Sequence, residues 1–433
     1  MGNAADGGVA QTHKVGALSY SLGSYDEQVE QSLATLKTGK FVTRLWAEDA
    51  KLWTGEDEDK WLGWLHIVEE QIRNQAVFDK LSQTVKEKKL SHAVLLGMGG
   101  SSLRVEVMRQ VFGHTAGHPE MLVLDSVVPA QVESVRSQID PAKTVFIVSS
   151  KSGGTTEPNV LCQYFYDETK KIVGDKVGDH FIAITDPGSS MEKRATEWKF
   201  GHIFHGVPSI GGRFSALSNF GMIPAAVMGL NTKTILHHAE EMVKACSASV
   251  PPEQNPGVIL GTIMGALTDE GRDKVTIVAS PAIHKLGAWL EQLITESNAK
   301  EDRGIIPIAS ETLADPADYG DDRLFVYVRL ESNPDREQDK KVDALEKAGN
   351  PVVRISLPDT AHIGAEFYRW EIATATGGAF LGINAFNQPN VQESKDFTKD
   401  YLKEYNEKGS LPQNTLLAEE GIFKLYADEM NTK

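Results

Sequence analysis

Short apolar runs rich in β-branched residues recur along the chain, and each is followed by a polar or glycine-containing turn and then a helical pattern. In the first half these runs span residues 93–96, 121–124, 145–148 and 181–184. Strands that are apolar on both faces and alternate with helices predict a parallel sheet covered by helices on each side. The sequence therefore predicts an α/β fold of the doubly wound type, in which ligands bind at the carboxyl ends of the strands.

The strand–helix pattern pauses at residues 250–256, a proline-rich linker, and then starts again. Further strands are predicted at 274–279, 323–330 and 352–355, with a helix over 282–299. We therefore expect two consecutive α/β domains, residues 66–232 and 233–433, the second with a C-terminal helical segment. An N-terminal extension and helical segment, residues 1–65, would precede them. Its first 25 residues are expected to be loosely ordered, and its tryptophans to cover a domain surface or a subunit contact.

The net charge and the cysteine content limit which molecules the protein can bind and where in the cell it can work. The net charge is −16, which argues against nucleic acid or an anionic membrane and requires that an anionic substrate be held by local cations and dipoles. The only cysteines, Cys162 and Cys246, fit a reducing cytosol and exclude a disulfide framework or a cysteine zinc site. The sequence shows no signal peptide and no apolar run of membrane-spanning length. We expect a cytoplasmic protein.

The turn at residues 149–158 reads SSKSGGTTEP and lies between a predicted strand and a predicted helix. It combines hydroxyl side chains, two glycines and a lysine. Backbone N–H groups at a helix N-terminus carry partial positive charge, hydroxyls can surround phosphate oxygens, and glycines allow close approach. This turn therefore predicts a phosphate site. The alternative is a Ser/Thr-capped helix start without a ligand, although one hydroxyl would suffice for a cap.

The turn at residues 97–104 reads GMGGSSLR and follows the first strand. A dinucleotide-binding fingerprint would have a third glycine where Ser102 stands, although Asp125 lies where a ribose-binding acid is expected. The hydroxyls fit a second turn that contacts a phosphosugar better. A tight turn without a ligand is the remaining interpretation.

Three charged residues are candidates for chemistry. Arg213, in GGRFS, is flanked by glycines and could neutralise an anion or a developing oxyanion, or be an ordinary loop arginine. Glu296 pairs with Gln292 at i, i+4 near a helix C-terminus, where the helix dipole disfavours a carboxylate; it is a candidate general base or a solvated glutamate. Lys395 lies about two turns into a helix that starts at Pro389, and taken alone it reads as a solvated cation.

Taken together and in order, GMGGSS, SSKSGGTTEP, GGRFS, ESNAK and INAFNQPNVQESK resemble the glucose-6-phosphate isomerase family, whose halves are sugar isomerase (SIS) domains. The resemblance covers residues 90–400, and is greatest to the isomerase half of bacterial bifunctional transaldolase–isomerases. It implies two consecutive SIS-type αβα sandwiches, flavodoxin-like, with mostly parallel sheets. It also implies a homodimer that interconverts glucose 6-phosphate and fructose 6-phosphate through a cis-enediolate, without metal or nicotinamide.

The resemblance implies roles for individual residues. Glu296 corresponds to the catalytic base, Arg213 to the arginine beside the enediolate, and Lys395 to the lysine of the C-terminal motif. The residues that would contact the substrate are Gly99, Gly100, Ser101, Ser150, Lys151, Ser152, Thr155, Gln292 and Gln388.

One departure concerns ring opening, which the family assigns to a histidine some twenty to thirty residues after the glutamate. This chain has no histidine between His284 and His362. Lys395, Asp318 or water could replace it, or the substrate could be the open-chain form. Two other functions stay open: a non-catalytic phosphosugar sensor, and an enzyme for another sugar phosphate or an amino sugar. Because a sensor needs no base, the presence of Glu296 favours the isomerase.

Overall fold

Strands and helices alternate along most of the chain. The structure, a computed structural model, describes residues 17–411 and 414–428. Its strands are β1 (Ala17–Ser21), β2 (His92–Gly97), β3 (Glu120–Leu124), β4 (Thr144–Ser149), β5 (Phe181–Thr185), β6 (His202–His205), β7 (Lys274–Ala279), β8 (Ala299–Lys300), β9 (Arg303–Gly304), β10 (Ile306–Ala309), β11 (Arg323–Leu330), β12 (Val352–Leu357), β13 (Thr415–Glu420) and β14 (Phe423–Ala427). Every strand predicted from an apolar run forms, within two residues of its expected ends.

The α-helices separate these strands or cover the sheets. They are α1 (Asp26–Thr38), α2 (Phe41–Trp46), α3 (Ile67–Arg73), α4 (Gln75–Glu87), α5 (Leu103–Phe112), α6 (Pro129–Gln138), α7 (Thr156–Val173), α8 (Ser190–Glu197), α9 (Asn219–Val227), α10 (Thr232–Ala245), α11 (Pro256–Asp269), α12 (Leu286–Asn298), α13 (Arg336–Lys347), α14 (Ile363–Leu381) and α15 (Pro389–Lys408). The helix predicted at 282–299 is α12, preceded by a 3₁₀ turn at Pro281–Ile283.

The first large sheet has the order β3-β2-β4-β5-β6, and all its strands are parallel. This is the flavodoxin-like order, in which the chain reverses direction across the sheet between β2 and β4. The loops that follow β2 and β4 therefore diverge at the point where open α/β sheets bind ligands. Both loops were singled out from the sequence.

The second large sheet has the order β1-β12-β11-β7-β10, with the last four strands parallel. Its parallel part repeats the strand order of the first sheet. The prediction of an α/β fold with mostly parallel sheets is confirmed. Within the described residues, no helix is both long enough and apolar enough to cross a lipid bilayer.

The N-terminal part of the chain differs from its prediction. Residues 1–16 lie outside the described part, but β1 follows directly and pairs antiparallel with the edge strand β12. Leu18 is buried in this pairing while its neighbours are more exposed. The expectation of loose order up to residue 25 is therefore wrong from residue 17. The sequence of β1, Ala-Leu-Ser-Tyr-Ser, does alternate as a strand would. It is too short and too polar to predict a strand without knowledge of its partner β12.

Two of the tryptophans, Trp53 and Trp64, differ from the expectation that they cover a surface. Trp64 is fully buried and Trp53 is nearly so. The Trp64 ring packs 5.3 Å from the ring of Phe214 and 6.0 Å from that of Tyr368. Trp53 donates from Nε1 to the carbonyl of Ala375, on the almost wholly buried helix α14, at 2.8 Å. The helical N-terminal segment thus supplies part of the core rather than a surface layer.

The chain divides into two units, a large one that ends at Phe386 and a smaller one that begins at Asn387. The smaller unit contains α15 and the hairpin of β13 and β14, which pair antiparallel. Its helix begins at Pro389, so the prediction that Lys395 lies about two turns into a helix is confirmed.

Candidate active site

The loops after β2 and β4 begin at the same edge of the first sheet. Gly97, the last residue of β2, lies opposite Ser149, the last residue of β4. The Ser149 hydroxyl donates to the carbonyl of Ser101 at 3.0 Å, so a hydrogen bond joins the two loops. The predicted phosphate turn and the predicted phosphosugar turn thus form one continuous rim.

Ser150 has the most informative hydroxyl of the loop after β4. Its backbone is fixed, since its N–H donates to Ile184 O at 3.0 Å and its carbonyl accepts from Thr185 Oγ1 at 2.6 Å. The residue is only 2% exposed, yet its Oγ has no hydrogen-bond partner among the described residues. A buried hydroxyl without a partner costs about 1–3 kcal/mol, and a bound ligand oxygen would remove that cost.

The first turn of α7 has no side-chain cap. Thr155 occupies the N-cap position in an extended conformation, but its hydroxyl accepts no bond from the helix. Ser152, which is exposed, accepts from the N–H of Gly154 at 3.3 Å. The helix-capping interpretation of this turn therefore lacks its hydrogen bond. The hydroxyls and the uncapped N–H groups instead lie together at the positive end of an 18-residue helix.

Lys151 is held within the protein. Its ammonium group forms an ion pair with Asp186 and donates to the carbonyl of Pro208 at 3.1 Å. The side chain retains about a fifth of its exposure. As placed, Lys151 supports the loop after β4 by joining it to the loops after β5 and β6, and its predicted contact with the substrate stays a prediction.

The loop after β2 depends on glycines for close approach. Gly99 has φ +51°, and a Cβ there would lie 2.9 Å from the amide nitrogen of Gln292. A Cβ on Gly100 would lie 2.6 Å from the carbonyl carbon of Gly212 and 2.9 Å from the backbone nitrogen of Arg213. Because side chains are absent at these two positions, the loop after β2 contacts both the arginine loop and α12.

Arg213 is buried at the centre of this arrangement. Its Nε donates to the Ser297 hydroxyl at 2.7 Å, and its Nη2 donates to the carbonyl of Ala385 at 2.8 Å. Its Nη1 lies 3.4 Å from Oε2 of Glu296, and the side chain has no solvent exposure. Burial lowers the pKa of Arg213 to about 10, against the opposite effect of Glu296, so the group is a cation at neutral pH.

Glu296 is the solvent-accessible member of this group. Its side chain is 26% exposed, whereas that of Arg213 is fully buried. Gln292, one turn earlier on α12, donates from Nε2 to Glu296 Oε1 at 2.9 Å. Each carboxylate oxygen thus has its own partner, one the guanidinium and one the amide. The structure brings together four residues that the sequence offered in three separate motifs: Gly99, Arg213, and the pair Gln292 and Glu296.

Lys300 is a residue of this site that the sequence reasoning missed. Its Nζ donates to the carbonyl of Asn384 at 2.6 Å, next to the carbonyl that Arg213 contacts. Burial, and then the charge of Arg213, lower the pKa of Lys300 to about 7, against the pull of Glu296. It lies in the short hairpin of β8 and β9, whose turn residues Glu301 and Asp302 both have positive φ. Such strain persists where the surroundings fix the backbone.

Arg104 is a second missed residue, and it acts on the backbone of the arginine loop. Its Nη1 donates to the carbonyl of Gly212 at 3.1 Å, and its guanidinium lies over the Phe220 ring. The side chain is fully buried, which lowers its pKa to about 9, while the charge of Glu371 acts in the opposite direction. The quoted motif GMGGSSLR included this arginine, but the spacing alone gave no sign that it contacts residue 212.

The other residues named from the sequence belong to other elements of the chain. Gln388 and Lys395 belong to the C-terminal unit, at the start and in the second turn of its helix, and their proposed contacts with the substrate stay predictions. Asp318 is exposed in a 3₁₀ turn. His362 pairs with Asp359 at the other end of α14 from Ala385. His284 is exposed and contacts the carbonyl of Pro281.

The chain is similar in sequence to a known protein family. A family model described as phosphoglucose isomerase matches residues 69–315, more than half of the 433-residue chain. The chain belongs to the phosphoglucose isomerase family. The family predicted from the order of the motifs is therefore confirmed. The matched region contains every residue of the Arg213–Glu296 group described above except the carbonyls at 384 and 385.

Two curated members of the phosphoglucose isomerase family illustrate the similarity. A glucose-6-phosphate isomerase of Carboxydothermus hydrogenoformans is 29% identical over 394 residues, which cover 78% of this chain and 84% of the relative. A glucose-6-phosphate isomerase of Parabacteroides distasonis is 27% identical over 381 residues, which cover 77% and 85% respectively.

Two solved structures share the fold. A hypothetical protein of Thermus thermophilus superposes with a TM-score of 0.75 at 23% identity, covering 88% of this chain and 99% of the other. A glucose-6-phosphate isomerase of Chlamydia trachomatis superposes with a TM-score of 0.74 at 16% identity, covering 92% and 90%. The fold shared with these two structures extends over nearly the whole chain.

The close approach of Gly100 to the arginine loop gives the first prediction. Gly100→Ala forces the 212–213 backbone to move, and should lower the free energy of unfolding by about 1–3 kcal/mol, as for other overpacked sites. Gly211→Ala is the matched control, since its Cβ would meet no atom within 4 Å and its φ is −61°. Urea unfolding of both variants tests this, and equal midpoints would contradict the contact.

Proposed function

We propose that the protein interconverts glucose 6-phosphate and fructose 6-phosphate through a cis-enediolate, with Glu296 as the base. The observation that supports this most is the pairing of a partly exposed carboxylate with the fully buried Arg213, which lie 3.4 Å apart. The two named relatives are glucose-6-phosphate isomerases, which supports the same reaction. Such an enzyme would serve glycolysis and gluconeogenesis.

The loops after β2 and β4 would bind the substrate's phosphate end. The unpartnered hydroxyl of Ser150, the exposed Ser152 and the uncapped start of α7 at Thr155 offer donors to phosphate oxygens. The backbone of Gly99, Gly100 and Ser101 would line the opposite side. Because these groups are remote from the reacting carbons, their binding energy would orient the substrate.

The chemical step requires one base that works on two adjacent carbons. Glu296 would remove a proton from C2 of the aldose, or from C1 of the ketose, and return it to the neighbouring carbon. The electron pair released moves onto the carbonyl oxygen, which becomes an enediolate oxygen. The hydroxyl proton on the deprotonated carbon passes to that oxygen, and the second oxygen forms the new carbonyl as Glu296 returns its proton to the carbon that bore the original carbonyl. Arg213 supplies a fixed positive charge for that oxygen, and its burial strengthens the interaction. Gln292 holds Glu296 through a hydrogen bond.

Ring opening requires a proton for the ring oxygen as its bond to the anomeric carbon breaks, and the anomeric hydroxyl loses its proton to solvent as its oxygen becomes the carbonyl. We propose Lys300 as the donor, in place of the histidine that the sequence lacks. Its pKa of about 7 populates both protonation states at neutral pH, which suits a general acid–base group. Its hydrogen bond to Asn384 and its neighbour Arg213 place it within the same group of side chains.

A second function, phosphosugar sensing without turnover, is favoured by one observation. The hydrogen bonds that hold the loops after β2 and β4 do not involve Glu296. These loops could therefore bind a phosphate without the proposed base. A sensor, however, would have no use for a carboxylate that contacts both Gln292 and a buried arginine. The isomerase is therefore the better supported function.

Four further proposals rest on the sequence resemblance. The chain forms a homodimer. Gln388 and Lys395 contact the substrate. The domains divide at residues 65 and 232. The chain is related to the isomerase half of bifunctional transaldolase–isomerases.

The base assignment predicts the effect of Glu296→Gln. With fructose 6-phosphate and a coupled glucose-6-phosphate dehydrogenase, turnover should fall by about 10²- to 10⁴-fold, because the amide cannot accept the proton. Binding of fructose 6-phosphate, measured by calorimetry, should change little.

Glu291→Gln is the matched control for this prediction, since Glu291 is an exposed glutamate on the same helix. It should retain activity. Full turnover by Glu296→Gln would contradict the assigned base. Binding without turnover in the unaltered protein would instead support the sensor.

The ring-opening role of Lys300 predicts a difference between substrates. Lys300→Met should lose most turnover of hexose phosphates but retain turnover of a four-carbon aldose 4-phosphate, which cannot close a furanose ring. Since the ammonium form donates the proton, hexose turnover in the unaltered protein should fall as the pH rises through about 7. Steady-state kinetics with both substrates test this.

Lys347→Met, at an exposed lysine in the last turn of α13, is the control and should behave like the unaltered protein. Equal losses on both substrates in Lys300→Met would show that Lys300 only supports the structure. Lys300→Arg separates charge from proton transfer, because arginine keeps the positive charge but does not release a proton.

A further inference from the structure

A cluster of two histidines and one aspartate lies outside the proposed active site. His238 is on α10, while Asp359 and His362 lie in the turn that leads into α14. Each of the three offers a ligand atom, and these atoms lie within 4.8 Å of one another. The cluster therefore joins two helices through side chains that commonly bind metal ions.

The two histidine rings are held in position. They stack with centroids 3.8 Å apart and planes inclined by 21°. His238 Nδ1 contacts Glu241 Oε2 at 2.9 Å, and His362 Nδ1 contacts Asp359 Oδ1 at 2.9 Å. The carboxylate of Glu241 on Nδ1 fixes the His238 ring and favours the tautomer whose Nε2 carries the lone pair. In His362 the ligand atom would be Nδ1, which already lies beside Asp359 Oδ1, because an oxygen at Nδ1 cannot reach an ion on Nε2 of the same ring. Among the described residues, no hydrogen bond reaches either Nε2.

The surroundings of the cluster favour a cation. Glu241 and Asp359 both face it, and the neighbouring His237 lies 3.8 Å from Glu241. His362 is nearly buried, whereas the side chain of Asp359 is 56% exposed. A bound ion would therefore have protein ligands on one side and water on the other. Imidazole nitrogens select zinc and other later transition metals over magnesium or calcium.

The cluster is remote from the chemistry proposed above. His362 precedes the first residue of α14, and Ala385, which accepts from Arg213, follows its last. A 19-residue helix spans about 28 Å. Nothing in the isomerase proposal requires these histidines, so they need a separate explanation.

We propose that His238, His362 and Asp359 form a binding site for a divalent transition-metal cation such as Zn²⁺. Ligand atoms on a tetrahedral zinc lie roughly 3.4 Å apart, so small side-chain rotations bring these atoms into range. The ion would link α10 to the start of α14. Since it binds the folded chain, it would stabilise that state by mass action.

Calorimetric titration of the untagged full-length protein with ZnCl₂ tests the site. We expect one saturable site per chain, a rise in melting temperature with Zn²⁺, and no such response to Mg²⁺. His238→Gln and His362→Gln should each weaken Zn²⁺ binding at least about tenfold. His205→Gln is the matched control, since His205 is a partly exposed histidine that also contacts a carboxylate, that of Glu192.

A second measurement covers variants that fold poorly. Co²⁺ added to the unaltered protein should give the visible absorption of a nitrogen-ligated ion, and Asp359→Asn should change that spectrum while the protein stays folded. The proposal is overturned if the unaltered protein binds no Zn²⁺ saturably. It is equally overturned if both histidine variants bind Zn²⁺ as tightly as the His205→Gln control.

Discussion

The buried positive charge of Arg213 is the interaction on which the site depends. Removing a guanidinium from water costs several kcal/mol unless its donors are satisfied. Here each nitrogen of the guanidinium has its own acceptor: Ser297 for Nε, Glu296 for Nη1 and Ala385 for Nη2. Because these partners come from the end of α12 and from the segment after α14, the charge is fixed in direction as well as position. A fixed charge of this kind is what a developing enediolate requires.

The backbone around Arg213 is held as tightly as its side chain. Trp289 donates to the Arg213 carbonyl at 3.2 Å, and Arg104 donates to the preceding carbonyl. Gly100 packs against the same peptide without a side chain between them. The first sheet thus positions the arginine through the loop after β2. Helix α12, which follows β7 of the second sheet, supplies its carboxylate partner. Both sheets therefore contribute to one site, which they share at Arg213.

Much of the fold and of the candidate site could be predicted from the sequence, because the patterns that indicate strands and turns lie within a few consecutive residues. Apolar runs predicted the strands, and the hydroxyl- and glycine-rich turns predicted which loops meet at one edge of the first sheet. Lys300 and Arg104 were missed because their roles depend on contacts with residues 384 and 212, which are distant along the chain. Strand β1 was missed for a similar reason, since five residues become a strand only beside β12.

The central claim is that Glu296, held against Arg213, moves one proton between C1 and C2. Proton NMR of fructose 6-phosphate in D₂O, with and without the protein, tests it most directly. The proposal predicts that the unaltered protein exchanges a C1 proton of fructose 6-phosphate, and the C2 proton of the glucose 6-phosphate formed, for deuterium. Glu296→Gln should bind the sugar but exchange neither. Turnover or deuterium exchange that persists at the unaltered rate in Glu296→Gln would contradict it.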